Sequence, residues 1–186
     1  MSSCRKEAEG VWDSLLQTAG TLDTGGVGGP SHDLNTKMNR RGVYATVSRL
    51  YPSDFQVTFD LPTATISAEK RYLTNVPQQR LFFLNSPVVR TQAEAIAERV
   101  RSAGSDEAQV RKAFELVYQR EPSADEVRGA LEFLQLPPVA PAPAPAAATP
   151  SPGGKEDANE PKKLPPSSLR SFVWALLSSN EFLYLD

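Results

Sequence analysis

Residues 86–134 read SPVVRTQAEAIAERVRSAGSDEAQVRKAFELVYQREPSADEVRGALEFL, and this stretch decides the fold. Its apolar residues recur three and four positions apart, a spacing typical of helices that bury one face. Three successive helices are predicted, with start signals at Ser86–Pro87, at Asp106 and at Ser123. Glu126 completes a capping box with Ser123 at the third start. We therefore expect a helical core built on this stretch.

Helical spacing also continues outward from this stretch in both directions. Apolar stripes predict a helix over residues 8–19, ended by Gly20, and another over residues 169–177. Pro77 is expected in the first turn of a short helix that runs to Leu84. An isolated helix as short as the last one is marginal in water, so we expect it to dock on the core formed by the earlier helices.

The first half of the chain contains three less regular stretches. Residues 20–42 are rich in Gly, Asp, Asn and Ser without an apolar period, which predicts a long loop. Residues 43–50 fit a helix or a strand, and the apolar spacing favours a helix. Residues 55–61 alternate apolar and polar side chains, which predicts a short extended segment ending at Pro62.

A low-complexity stretch lies near the C-terminus. Residues 135–166 hold most of the prolines in a Pro-Ala run followed by Gly-Gly and charged residues, which predicts a disordered linker. The expected fold class is mainly α: a small helical domain with one short extended segment and a disordered Pro/Ala-rich insertion. Residues 1–134 and 167–186 are expected to form a single domain, since the remaining length suits only one core.

Composition excludes several classes of partner and site. With 20 basic and 22 acidic residues among 186, the net charge of -2 does not predict binding to nucleic acid. No apolar run approaches the roughly 20 residues needed to cross a bilayer, so no membrane span is expected. The single cysteine, Cys4, allows no intrachain disulfide or thiolate cage, and we expect it to be an idle thiol in a frayed terminus. Residues 1–9 lack the apolar core of a signal peptide.

Polar residues with potential chemistry gather in the predicted loop. The candidate cluster is His32, Asp33, Asn39 and Arg40, because functional side chains often lie on loops. His32 is the only histidine, and it lacks the further partners that a metal site or a nucleophile–base pair needs. Solvated loop residues are therefore the favoured interpretation, and no catalytic residue, cofactor or metal ligand is predicted.

Three other patterns are weaker. The segment TGGVGGP at 24–30 matches neither phosphate-loop motif and has no preceding strand, so a flexible turn is favoured over phosphate binding. The basic pairs at 40–41 and 70–71 could bind an anion, although such pairs are usually solvated or salt-bridged. Five aromatic residues could line a ligand groove, although a core role is favoured: Trp12, Tyr44, Tyr51, Phe55 and Phe59.

Several short segments, taken in order, resemble one protein family. They are DSLL (13–16), GTLD (20–23), GGP (28–30), RRGVY (40–44), FDLP (59–62), TNVPQ (74–78), LFFLNSP (81–87) and LSSNEFLY (177–184). In content and order they are similar to the C-terminal part of the planctomycete-type domain of unknown function 1553. That domain is found in large proteins that often also carry a planctomycete cytochrome c domain. The resemblance spans residues 5–134 and 167–186.

The resemblance implies a context and no activity. Because no activity is established for that domain, no catalytic residue is carried over to this chain. Larger members look exported and sometimes haem-linked, which implies export or a cell-envelope location. Haem is not expected here, because the chain has no Cys-x-x-Cys-His motif. The family domain is already under way at the first residues, so the domain is expected to be truncated at its N-terminus.

Two functions follow as hypotheses. The first is a noncatalytic structural or interaction module of a larger envelope-associated protein, with other protein domains or carbohydrate as partners. The alternative is part of a hydrolase acting on polysaccharide, with His32, Asp33, Asn39 and Arg40 at its site. The absence of a recognisable catalytic pattern favours the first hypothesis.

Overall fold

The computed structural model describes residues 4–62, 64–71, 73–136 and 168–185, without the side chain of Leu185. Within them the elements are β1 (Cys4–Arg5), α1 (Ala8–Ala19), a 3-10 turn (Gly42–Tyr44), α2 (Asp54–Thr58), α3 (Pro77–Asn85), α4 (Pro87–Arg101), α5 (Asp106–Tyr118), α6 (Ala124–Gln135), α7 (Ser168–Leu177), α8 (Asn180–Leu183) and β2 (Tyr184–Leu185). The predicted mainly α fold is confirmed. The predicted linker lies outside the described residues from residue 137 onward.

Helix α4 occupies the centre of the molecule and contacts α1, α3, α5 and α7. Five residues of its buried face have no exposed surface: Val89, Ala93, Ile96, Ala97 and Val100. Burial of apolar surface is the main favourable term in folding, at about 25 cal/mol for each Å² removed from water. The three helices predicted in residues 86–134 are therefore present, and the first of them organises the core.

The predicted docking of the final helix is confirmed. Helix α7 packs against α4, α5 and α6, and its residues Val173 and Leu177 are fully buried. Arg170 also donates to the Glu94 carboxylate on α4 at 3.3 Å, where both side chains are largely buried. Residues 168–185 therefore complete the core that residues 4–136 begin.

The short helix α8 is joined to the rest of the molecule by polar side chains. The Tyr118 hydroxyl donates to Ser179 Oγ at 2.8 Å, and Arg120 Nε donates to Glu181 Oε1 at 2.6 Å. Arg80 Nε donates to Asn180 Oδ1 at 3.1 Å. Three neighbouring residues thus connect α8 to α3, to α5 and to the turn after α5.

The two ends of the described chain pair with each other. Strands β1 and β2 are antiparallel, with Cys4 opposite Leu185 and Arg5 opposite Tyr184. The backbone N–H of Lys6 donates to the Leu183 carbonyl at 2.9 Å. The expectation of a frayed terminus at Cys4 is therefore wrong, because the residue belongs to a strand, although its thiol is exposed.

The extended segment predicted at residues 55–61 is wrong, because α2 forms there instead. Ser53 caps the helix through a capping box with Gln56, which supplies the local start signal. Phe55 and Phe59 are four residues apart and both buried, whereas Val57 between them is 61% exposed. The alternation of apolar residues was therefore misleading, since Val57 does not share the buried face.

The helix favoured at residues 43–50 is also wrong beyond its first residues. Only Gly42–Tyr44 form a 3-10 turn, and the backbone then becomes extended at Ala45. Val43, Val47 and Leu50 are all at least half exposed, so their helical spacing does not mark a buried face. One cap also differs by a residue, since Ser105 rather than Asp106 accepts from the Ala108 N–H at the start of α5.

Candidate functional site

The long loop between α1 and the 3-10 turn is organised around Arg40. Its guanidinium donates to the carbonyl oxygens of Pro30 at 3.2 Å, Gly26 at 3.3 Å, and Gly28. The same guanidinium lies 4.2 Å from the centre of the Tyr44 ring, a cation–π distance. The Gly-rich turn thus presents carbonyl oxygens to a cation, the opposite of the N–H groups that a phosphate loop presents.

The turn at residues 40–42 is held against α1 by two side chains. The Asp13 carboxylate accepts from the Gly42 N–H at 2.6 Å and from Arg41 Nε at 3.0 Å. Trp12 Nε1 donates to the Arg40 carbonyl at 3.3 Å. A Cβ at Gly42 would lie 3.0 Å from the Glu9 backbone, so glycine allows the close approach of the turn to α1.

The four residues of the predicted polar cluster lie at two separate backbone bridges, which His32 forms with Ala45 and Arg40 forms with Asp23. His32 bonds through its backbone to Tyr44 and Thr46, and the Asn39 carbonyl accepts from the Asp23 N–H. His32 and Asp33 are exposed, and among the described residues no hydrogen bond joins the side chains of the four. Arg40 alone has a defined side-chain role, and it is structural. A shared chemical role for the cluster stays a prediction.

A small pocket opens beside the N-terminal half of α1, between the loop and α2. Its volume is about 50 Å³, enough for a few water molecules or one small side chain. It is lined by Ala8, Glu9, Trp12, Leu34, Gly42, Val43, Ala45, Val47, Phe55, Gln56 and Leu61. Trp12 and Phe55 are nearly inaccessible, at 1% and 6%, and their rings meet edge to face at 5.5 Å. These two aromatic residues form a rigid apolar floor.

The core role favoured for the five aromatic residues is confirmed for Trp12, Phe55 and Phe59, and the alternative of an aromatic groove is only partly formed. Trp12 and Phe55 line the pocket, whereas Phe59 is buried in the core against Phe83. Tyr44 stacks on Arg40, and Tyr51 is exposed and is not one of the residues that line the pocket.

Exposed apolar side chains surround or adjoin this pocket in the chain. Val43 and Val47 line it and are 63% and 51% exposed. Three others in the same part of the chain are also mostly exposed: Leu50, Tyr51 and Val57. We call the pocket together with Val43 and Val47 the apolar pocket site. The sequence gives one indication of this site. The apolar residues at 43, 47 and 50 have helical spacing, but they lie on no buried helix face.

Two carboxylates lie at the edge of this site. Glu9 lines the pocket, and the same Nη1 of Arg71 donates to Glu9 at 2.8 Å and to Glu7 at 2.9 Å. The hydrogen bond that Arg71 donates to Glu9, above all, raises the pKa of Arg71 above its usual value. One guanidinium nitrogen is thus shared by two acidic side chains, which leaves acidic charge in excess in this group of three.

A buried ion pair lies elsewhere, between β1 and the end of α2. Arg5 is 5% exposed and donates to the Asp60 carboxylate, which also accepts from the Thr74 N–H at 2.9 Å. Within the part of the chain that the structure describes, Arg5 Nε and Nη1 have no hydrogen-bond partner. Asp60 adopts a positive φ of 60°, a region in which aspartate and asparagine are enriched.

Two further types of site, metal centres and membrane spans, are absent from the described residues. Across residues 4–62, 64–71, 73–136 and 168–185, no group of three or more His, Cys, Asp or Glu residues could hold a metal ion. None of the helices in these same ranges is long and apolar enough to span a bilayer.

A family model described as "Protein of unknown function (DUF1553)" matches residues 1–134. No curated protein and no solved structure matches the chain. Several segments that carry the resemblance noted above make contacts described here: GGP and RRGVY around Arg40, FDLP and TNVPQ around Asp60, and LSSNEFLY in α8.

Proposed function

Because the chain belongs to the DUF1553 family, whose description assigns no activity, we propose a function from the surfaces of the chain itself. It is a noncatalytic interaction module of a larger protein, and it contacts a partner through the apolar pocket site. The observation that carries this proposal is the rigid floor of Trp12 and Phe55 beneath the exposed Val43 and Val47. Exposed apolar side chains at the rim of a concave apolar pocket are typical of interaction sites.

The use of the motif residues supports the same proposal. The charged groups of Arg40, Asp13 and Asp60 form hydrogen bonds within the chain. Those bonds fix the shape of the loop and hold it against neighbouring segments. Such residues build a scaffold for a surface rather than present free acid or base groups to a substrate. The envelope-associated location of the parent protein is proposed from the family resemblance alone.

The hydrolase alternative remains untested, and no specific observation favours it. Its named residues His32, Asp33, Asn39 and Arg40 do not share side-chain hydrogen bonds in the described chain, and Arg40 is bonded to three backbone carbonyls. The same experiment can test both proposals.

The test combines a surface probe with an activity assay on the purified chain. Methyl NMR spectra are recorded while isopropanol, a small apolar probe, is added. We expect saturable shifts concentrated on Val43 and Val47, and no such shifts at Val27, which is fully exposed outside the pocket. Shifts spread evenly over exposed methyl groups would remove the basis of the proposal.

The assay measures reducing ends released from soluble and insoluble polysaccharides. We expect no release above that of buffer. Release that is abolished by His32→Ala or Asp33→Asn, with unchanged thermal unfolding, would establish the hydrolase alternative and overturn the noncatalytic proposal.

A further inference from the structure

The backbone beside the apolar pocket site has an unpaired edge. Residue 32 forms a parallel bridge with residue 45, in which His32 N–H donates to the Tyr44 carbonyl and Thr46 N–H donates to the His32 carbonyl. The Thr46 carbonyl accepts from Gln56 Nε2 at 3.0 Å. Both backbone groups of Thr46 are therefore hydrogen-bonded within the chain.

The backbone is extended at Ala45, and an extended chain that continues to Val47 directs the backbone groups of Val47 to the other side, because successive residues alternate between the two edges. Among the described residues, neither the N–H nor the carbonyl of Val47 has a hydrogen-bond partner. Its side chain lines the pocket and is half exposed. An edge that combines free backbone groups with a pocket for one side chain is the arrangement that binds an added strand.

The charge at the edge of the pocket restricts the chemistry of the occupant. Glu7 and Glu9 share one nitrogen of Arg71, so two negative charges face one positive charge. A partner that brings a further basic group would balance this excess, whereas an acidic partner would be repelled. The volume of about 50 Å³ admits one small apolar side chain or part of a larger one and excludes a folded element.

From these observations we infer that the apolar pocket site binds an extended peptide segment of a partner protein by strand addition at Val47. One apolar side chain of the segment enters the pocket above Trp12 and Phe55. Basic residues two positions away, which project from the same face of an extended chain, lie against Glu7 and Glu9. The inference rests on the proposed interaction function and names the partner class for the same surface.

The test uses a synthetic probe, acetyl-Arg-Thr-Leu-Thr-Arg-amide, added to the full chain and followed by NMR. Arginine stands on both sides of leucine, so either strand direction places one arginine near the acidic pair. We expect saturable shifts of the Val43 and Val47 methyl groups, together with slowed hydrogen exchange of the Val47 amide. The amide signal separates strand addition from simple filling of the pocket.

Three matched peptides test each part of the inference. Leucine to glycine removes the apolar anchor, arginine to glutamate reverses the charge, and N-methylation at leucine removes a backbone donor. We expect each change to weaken binding by about threefold or more, with the glycine peptide at least about tenfold weaker, because a tenfold change corresponds to about 1.4 kcal/mol of buried apolar contact. Equal binding of the leucine and glycine peptides would overturn the inference.

Protein variants supply the second control. Val47→Asp places a carboxylate at the pocket and is expected to weaken peptide binding at least about tenfold. Val27→Asp makes the same change at a fully exposed valine and is expected to leave binding unchanged. Glu9→Gln is expected to weaken it about two- to fivefold, the range of an exposed ion pair. Thermal unfolding of each variant checks that the fold is retained.

The remaining outcomes distinguish this inference from the function on which it rests. Isopropanol shifts without peptide binding would overturn the peptide inference and leave the interaction module standing. Shifts of the same methyl groups with protein concentration alone would identify a second copy as the occupant and overturn it. Shifts with chitotetraose but not with the peptide would identify carbohydrate as the partner and overturn it as well.

Discussion

The helical part of the molecule, from α4 to α7, and the loop part, residues 20–62, are stabilised by different interactions. In the helical part, fully buried apolar side chains such as Ile96, Val110 and Val173 pack between helices. The loop part is held by single polar side chains: Arg40 bonds to carbonyl oxygens 10 to 14 residues earlier in the loop, and Asp13 of α1 accepts from the Gly42 N–H. Apolar packing distributes stability over many residues, whereas the loop depends on a few. We therefore expect changes in the helical part to affect the whole fold and changes in the loop part to have local effects.

The largest effect should come from removing the C-terminal part of the helical core. A chain ending at Leu136 lacks α7 and α8 and exposes the surfaces of α4 that Val173 and Leu177 cover. Because these residues complete a single core, we expect loss of the cooperative thermal transition seen by circular dichroism. Restored cooperativity on adding a peptide of residues 168–186 would confirm the cause. A cooperative transition without that peptide would show that residues 4–136 fold alone.

The buried pair of Arg5 and Asp60 joins the loop part to strand β1, and it removes a charged group from solvent. Asp60→Asn keeps a residue suited to positive φ but leaves the Arg5 guanidinium buried without a counter-charge. We expect the free energy of unfolding in urea to fall by about 3–5 kcal/mol. Adding Arg5→Met should recover most of this loss. A double variant as unstable as the single one would contradict the assignment to buried charge.

Within the loop part, Arg40→Lys should have a local effect. Lysine keeps the charge but not the planar fork that reaches three carbonyls, so we expect a loss of about 1–2 kcal/mol. The Gly28 amide, which donates to the Tyr44 hydroxyl at 3.1 Å, should exchange with solvent faster, while α4 amides keep their protection. Arg41→Lys, at a single exposed ion pair, is the matched control. Faster exchange throughout α4 would show that the loop and the core unfold together.

The smallest effect should be a pH dependence in the helical part. The hydrogen bond from Arg120, above all, lowers the pKa of Glu126 to about 2 from an ordinary value of 4.5. Because the folded pKa is the lower one, this contribution to stability is fully present above pH 4.5 and is lost as the pH falls toward 2. Glu126→Gln should flatten the fall of thermal stability across this window. Asp125→Asn, at an exposed pair with Arg128, should not.

The same contrast explains what the sequence predicted and what it did not. The helices were predictable because Val89, Ile96 and Val100 mark a buried face by spacing alone, and Ser123 with Glu126 marks a start. The core role of α7 followed from its apolar stripe. These features depend on residues near one another in the chain, which a single sequence displays.

The pocket and the loop were not predictable for the opposite reason. Trp12 and Phe55 meet only after α1 and α2 pack together, and neither residue signals the other by position. Arg40 binds carbonyl oxygens, which every residue has and no sequence pattern marks. Residues 55–61 alternate apolar and polar side chains as a strand does, but the capping box that Ser53 and Gln56 form is the signal that the fold follows.

The chain leaves and re-enters the described structure at neighbouring points. Ser168 Oγ, in the first turn of α7, donates to the carbonyl of Leu136 at the end of α6 at 3.2 Å. For a loop between two fixed points, the entropy of closure grows only with the logarithm of loop length, about 0.6 kcal/mol for each doubling. The connection between α6 and α7 is therefore the place where evolution or an experimenter can add or remove residues at little cost to the core. A fluorescent or affinity sequence inserted there would leave every residue that lines the apolar pocket site unchanged.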